Sequence, residues 1–162
     1  MLVQQNISGS YFFNRSWAEF KVGFGDPSDN YWLGNELLSR LTRNNGYKLK
    51  FDLQSRNTSK WYYAEYSTFR VLTEADNYKL KVAGYSGNAG YNAFGGHHNG
   101  MMFSTYDRDN DQSSGNCVAN DGGGFWLHDC SACNVNGVRW FHWHGLPGGG
   151  YLQSSRMWLQ CK

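Results

Sequence analysis

FSTYDRDNDQSSGNCVANDGGGFWLHDCSACNVNG, running from Phe103 to Gly137, carries more of the chain's identity than any other stretch. Three carboxylates alternate within it, at Asp107, Asp109 and Asp111, among small polar residues. That pattern suits a hard cation: Ca²⁺ takes roughly 6–8 oxygen ligands, and backbone carbonyls fill the places that carboxylates leave. Cys117 and Cys130 follow with a glycine run between them, and a disulfide just downstream would hold the loop in shape before an ion arrives. The spacing is not that of an EF-hand. Counted from Asp107, Gln112 stands where the invariant Gly belongs and Val118 where the bidentate Glu belongs. On spacing alone, a solvated acidic turn that binds nothing is the competing reading.

The rest of the composition frames this loop. A chain of 162 residues fits one domain with a real core. With 17% aromatic residues, 20 glycines and only 2 prolines, it is rich in rings and flexible connections and poor in long helices. A net charge of +2 without a Lys/Arg cluster gives no reason to expect nucleic acid. No apolar run approaches the roughly 20 residues of a membrane span. The start, MLVQQNISGS, lacks the basic flank and apolar block of a signal peptide. The even count of 4 cysteines nevertheless argues for an oxidising compartment. Acceptor sequons at Asn6, Asn14 and Asn57 agree, so the expectation is an extracellular protein whose leader is absent from this sequence.

Local patterns predict a regular first half. Ser16-Trp17-Ala18-Glu19 has capping-box form and should open a short helix ending near Gly23–Gly25. A second helix should begin at Asn35, with Leu37, Leu38 and Leu41 on one face and Gly46 as its stop. Alternation predicts strands over Tyr47–Ser55, Trp61–Val71 and Tyr78–Ser86, with short connections that make neighbours antiparallel. From Gly87 onward the periodicity fails. The expectation is one domain over residues 1–162, with a helix and sheet scaffold to residue 86 and a loop-rich binding subdomain over 87–162, where function should lie.

WAEFKVGFGD, YWLGNELLSRLT, HNGMMFSTYDRDND, NCVANDGGGFWLHDC, CNVNG and GVRWFHWHG occur in the order found in fibrinogen C-terminal-like domains. The chain resembles that family, the globular heads of fibrinogen chains, ficolins, tachylectins, angiopoietins and tenascins, from about Val3 to Leu159. The resemblance implies an extracellular α+β domain with a twisted, mainly antiparallel sheet, short flanking helices and a loop-rich calcium-binding subdomain. It also implies binding without catalysis. No nucleophile–base pair, P-loop or HExxH motif speaks for an enzyme. Two departures stand out. Val3-Gln4-Gln5 resembles the strand that follows the family's N-terminal subdomain, so the expectation is a domain without that subdomain. Asn136-Gly137 also runs almost directly into Val138-Arg139-Trp140, shortening the loop that completes the acetyl pocket of the lectin members.

Carried onto this sequence, the family pattern makes Asp109 and Asp111 side-chain ligands of Ca²⁺ and Ser113 and Gly115 carbonyl ligands, with Asp107 orienting the loop. It pairs Cys117 with Cys130. Cys133 and Cys161 are not family cysteines; a second bridge is their simplest reading, with a free thiol or an intermolecular link as alternatives. A zinc site using His142 and His144 from one strand face is a minor alternative. The resemblance places a ligand pocket at Asn120, Asp121, Cys130 and Ser131, with a cis Cys130–Ser131 peptide bond. Asp121 would suit an ammonium group or sugar hydroxyls, unless it merely caps the Gly122-Gly123-Gly124 turn. Most of the rings of Trp61, Tyr62, Tyr63, Phe125, Trp126, Trp140 and Trp143, and the His97-His98 pair, are expected to be structural. The leading expectation is a calcium-stabilised, lectin-like domain binding glycans, acetylated or amino sugars, on cell or microbial surfaces in innate defence. The alternative is a protein-binding adhesive or signalling head of tenascin or fibrinogen type, with homo-oligomers open. A third reading is a shortened relative with no calcium-dependent ligand.

Overall fold

A computed structural model describes every residue except Ser8 and Ser10. In chain order the strands are β1 (Leu2–Asn6), β2 (Phe24–Gly25), β3 (Tyr31–Trp32), β4 (Tyr47–Ser55), β5 (Trp61–Val71), β6 (Leu80–Gly87), β7 (Phe103–Ser104), β8 (Phe125–Trp126), β9 (Cys133–Asn134), β10 (His142–Trp143) and β11 (Leu152–Cys161). The α-helices are α1 (Trp17–Val22), α2 (Asn35–Thr42), α3 (Ala93–His98) and α4 (Cys117–Asp121). Seven strands form one sheet in the order β2-β3-β1-β11-β4-β5-β6, with every neighbouring pair antiparallel. This is the α+β class that the sequence leads one to expect.

Local chemistry explains the scaffold. The capping box at the start of α1 is formed in both directions: Glu19 N donates to Ser16 Oγ at 3.2 Å, and Ser16 N donates to Glu19 Oε2 at 2.9 Å. Strict alternation in β4 turns Leu49, Phe51 and Leu53 into the core and leaves Lys48, Lys50, Asp52 and Gln54 on the other face. β6 starts at Leu80 rather than Tyr78, because Asn77 and Tyr78 hold φ of 52° and 51°, which no strand residue adopts. α2 stops at Thr42, short of Gly46, and Leu37 points outward at 45% exposure while Leu38 is buried.

The largest departure is β11. The stretch expected to be loop-rich ends in ten residues that run back through the middle of the sheet. Met157 pairs with Phe51 on one side and Gln4 on the other. The core is shared between sheet and loops. Phe51 packs against Phe94 at 5.0 Å and Trp143 at 5.1 Å, and Trp126 packs against Phe103 at 5.2 Å and Trp32 at 6.1 Å, as ring-centre distances. Aromatic edges meeting faces in this way bury large areas and fix orientation. No helix among the described residues is long and apolar enough to cross a membrane.

Candidate functional site

The acidic loop leaves β7 and returns at α4. Asp107 is exposed, yet its Oδ1 accepts from Trp17 N at 2.9 Å and Thr105 Oγ1 at 2.7 Å, so it ties the loop to the first turn of α1. Asp109 accepts from Asp111 N at 3.2 Å; Asp111 accepts from Ser113 N and Cys117 N, each at 2.9 Å. Burial pushes the Asp111 carboxyl above its ordinary range, the Cys117 N–H pulls it back, and the neighbouring Asp109 carboxylate pushes it up again. The two neighbouring carboxylates offer oxygen donors only, which fit a hard cation and not a soft one. The three donor-type side chains that lie within 4.8 Å of one another, Cys117, Asp129 and Cys130, do not form a metal site, because both sulfurs are consumed in a disulfide.

That disulfide, Cys117–Cys130, closes a loop of sequence separation 13, worth on the order of 3 kcal/mol by chain entropy. The second expected bridge is absent. Cys133 is a free, buried thiol in β9, and Cys161 is free and exposed at the end of β11. Cys161 ends a strand of the seven-stranded sheet, whereas Cys133 lies in the separate β9–β10 pair. The cis peptide bond is Asp129–Cys130, one position earlier than expected at Cys130–Ser131.

Behind the bend, His98 is the anchor. It is fully buried. Its Nδ1 lies 2.6 Å from the Trp126 carbonyl, while Nε2 lies 3.2 Å from both Ala132 N and Cys133 N. The two N–H donors require a lone pair on Nε2, so the proton sits on Nδ1 and the ring is neutral. Burial accordingly pushes its pKa down to about 3. Asn136 performs a similar task, donating to Gly124 O at 2.9 Å and accepting from Gln4 Nε2 at 3.1 Å. Gly123, with φ 75°, is required here, because a Cβ would stand 1.9 Å from the Asn136 carbonyl oxygen.

In front of the bend lies an open pocket of about 450 Å³. Asp121, Cys130 and Ser131 line it; Asn120 is exposed, is not on its wall, and accepts from Arg139 Nη1 through its carbonyl at 3.0 Å. The opposite wall is Trp140, His142, His144, Gly150 and Tyr151. The Trp140 and Tyr151 rings stack at 6.1 Å with planes 22° apart, and both are nearly half exposed. Trp140 is therefore pocket wall, whereas Phe125, Trp126 and Trp143 are core. Among the described residues the Asp121 carboxylate makes no hydrogen bond to the glycine turn. Burial raises its pKa, and His142 and then Arg139 pull it back down. His142 is held by Nδ1 against the Trp140 carbonyl at 2.8 Å. Nothing in the sequence singled out His142, Tyr151 or Gly150 for this pocket. The bonds Leu152 N to Phe141 O at 3.0 Å and Trp143 N to Gly150 O at 2.8 Å bring that wall together.

Two of the three sequons lie on exposed asparagines, Asn14 and Asn57. Asn6 is not available for a glycan, since it is fully buried and its Nδ2 donates to Val135 O at 3.1 Å; the Ser8 of its sequon lies outside the described residues.

Comparison with known proteins agrees with this architecture. The family profile described as the C-terminal globular domain of fibrinogen beta and gamma chains matches residues 1–158. Mouse tenascin is 40% identical over 148 residues, which is 85% of this chain and 7% of tenascin, so the chain spans a small part of that relative. The fibrinogen-like globe domain of human ANGPTL6 superposes with a TM-score of 0.92 at 32% identity, covering 99% of this chain and 77% of that one. A lamprey fibrin D-dimer complexed with the peptide ligand Gly-His-Arg-Pro-amide superposes with a TM-score of 0.87 at 30% identity, covering 98% of this chain and 60% of that one. The chain belongs to the fibrinogen C-terminal globular domain family, a family of non-enzymatic binding and structural proteins.

Proposed function

We propose that this domain is an extracellular protein-recognition head whose pocket receives a cationic group of a partner polypeptide, beside a loop stabilised by Ca²⁺. The observation that carries the reading is the pairing of a half-buried carboxylate, Asp121, with the stacked Trp140–Tyr151 wall. An ammonium or guanidinium group gains from both: charge pairing with Asp121, and attraction to the negative faces of the rings. The similar lamprey fibrin holds a peptide that carries an arginine, which supports this class of ligand. Family membership and a disulfide support an extracellular setting. In the loop, Asp109 and Asp111 would supply carboxylate ligands and Ser113 and Gly115 carbonyl ligands. The ion neutralises the crowded carboxylates, and these residues then hold α4, and with it Asp121, in place.

A second reading, glycan binding, draws on the same exposed rings, since Trp140 and Tyr151 offer flat faces for a sugar. Calorimetric titration with Gly-His-Arg-Pro-amide, alongside a glycan array, each with and without EDTA, separates the two. Saturable peptide binding that weakens in EDTA is expected. Selective, chelator-sensitive binding to acetylated sugars with no peptide binding would replace the protein reading with the glycan one.

A further inference from the structure

The chain has five histidines, and the fold gathers all of them around the bend at Asp129–Cys130. Two are committed to structure: His98 through both nitrogens, and His142 through Nδ1. The other three, His97, His128 and His144, make no side-chain hydrogen bond among the described residues. His128 Nδ1 is in fact shut off from solvent with no partner at all. An imidazole left out of every hydrogen-bond network has its lone pair free for another use.

The spacing of two of these rings indicates that use. The ring centres of His97 and His128 are 4.8 Å apart. Two imidazoles on one tetrahedral ion, at a Zn–N distance of about 2.0–2.1 Å, have centres roughly 5 Å apart.

We propose that His97, His128 and His144 form a site for a divalent transition metal of the zinc type, with the Asp129 carboxylate or water in the fourth place. The three residues come from different segments: the end of α3, the turn after β8 and the residue after β10. An ion there would fasten the loop that carries Cys130 and Ser131 to its two neighbours. Among the described residues the donor atoms of the three histidines do not already lie within 4.8 Å of one another, so the exposed His144 ring has to turn inward to complete the set. The nitrogen donors distinguish this site from the all-oxygen acidic loop, which suits Ca²⁺. No thiol takes part, because Cys117 and Cys130 are bonded to each other and Cys133 is buried with its thiol pushed up.

The test is calorimetric titration of the whole chain with ZnCl₂ in calcium buffer, in a Cys161→Ser background that removes the exposed thiol. CoCl₂ absorption serves as a second readout. One ion per chain is expected, with visible cobalt bands of tetrahedral type. His97→Gln/His128→Gln removes two of the three protein nitrogens and should abolish saturable zinc binding. No saturable zinc binding in the parent chain, or unchanged affinity in the folded double variant, overturns the proposal. Should the double variant fail to fold, exposed His144→Gln decides: a loss of roughly tenfold supports the site, and unchanged affinity refutes it.

Discussion

The sheet and the loop-rich face solve the same problem by different means. In β4, β5, β6 and β11, backbone groups satisfy one another across strands, and side chains are left to alternate between core and surface. Between β8 and β10 regular pairing is reduced to two-residue strands, and buried side chains take over the backbone's hydrogen bonds. Gln4 and Asn6 hold the Val135 carbonyl at 2.8 and 3.1 Å, Asn136 holds Gly124, and His98 holds three backbone groups. Buried backbone groups need partners wherever they lie. A face that gives up strands for loops must therefore bury polar side chains, and its shape depends on single residues in a way the sheet's does not.

The contrast can be broken from either side. Phe51→Ala removes a ring shared by β4, Phe94 and Trp143, and should cost about 3–5 kcal/mol in one cooperative transition, read by urea denaturation. His98→Ala leaves one carbonyl and two N–H groups unpaired, at roughly 1–3 kcal/mol each in full burial. Partial relaxation should bring the total to about 3 kcal/mol, and hydrogen exchange should rise first at residues 126–133 with the sheet still protected. A cooperative loss with no local opening would show that the two regions are one unit.

The same histidine sets an acid limit. The unfolded chain protonates His98 near its ordinary value, about 6.5, whereas the folded chain resists until about 3. This contribution is therefore complete above pH ~6.5 and falls as pH drops toward ~3, by on the order of 1 kcal/mol per pH unit. Denaturation curves at stepped pH, in wild type and His98→Ala, isolate the effect; parallel pH profiles would contradict it. Smaller still is the calcium term. Calcium at about 100 times its Kd should add roughly 2–3 kcal/mol to wild type, and nothing to Asp109→Ala/Asp111→Ala. An equal rise in both chains would place the ion elsewhere.

Legibility in the sequence follows the same divide. Alternation placed β4 and β5 at their observed ends, and the capping box placed α1, because both signals lie within a few residues of the structure they specify. β11 was hidden. Ser154 and Ser155 are adjacent and both buried, a bulge lies between Leu152 and Ser154, and the partners are nearly the whole chain length away. The site divides likewise. The acidic loop and the Cys117–Cys130 bridge could be read from a run of residues and its family likeness. The Trp140–Tyr151 wall could not, because it exists only once β11 has drawn Tyr151 back beside residues 140–144. Cys133 and Cys161 misled, since an even cysteine count says nothing about which pairs the topology lets meet.

The most direct measurement is an amide chemical-shift titration of the calcium-loaded chain with Gly-His-Arg-Pro-amide, repeated on Asp121→Asn. A cationic group seated in the loop-face pocket predicts saturable shifts at residues 120–122, 130–131, 140–144 and 151, weakened by about tenfold in the variant, as loss of a charge-assisted contact implies. Shifts centred instead on the exposed sheet face around Trp61, Tyr63 and Trp158, or unchanged by Asp121→Asn, would contradict it.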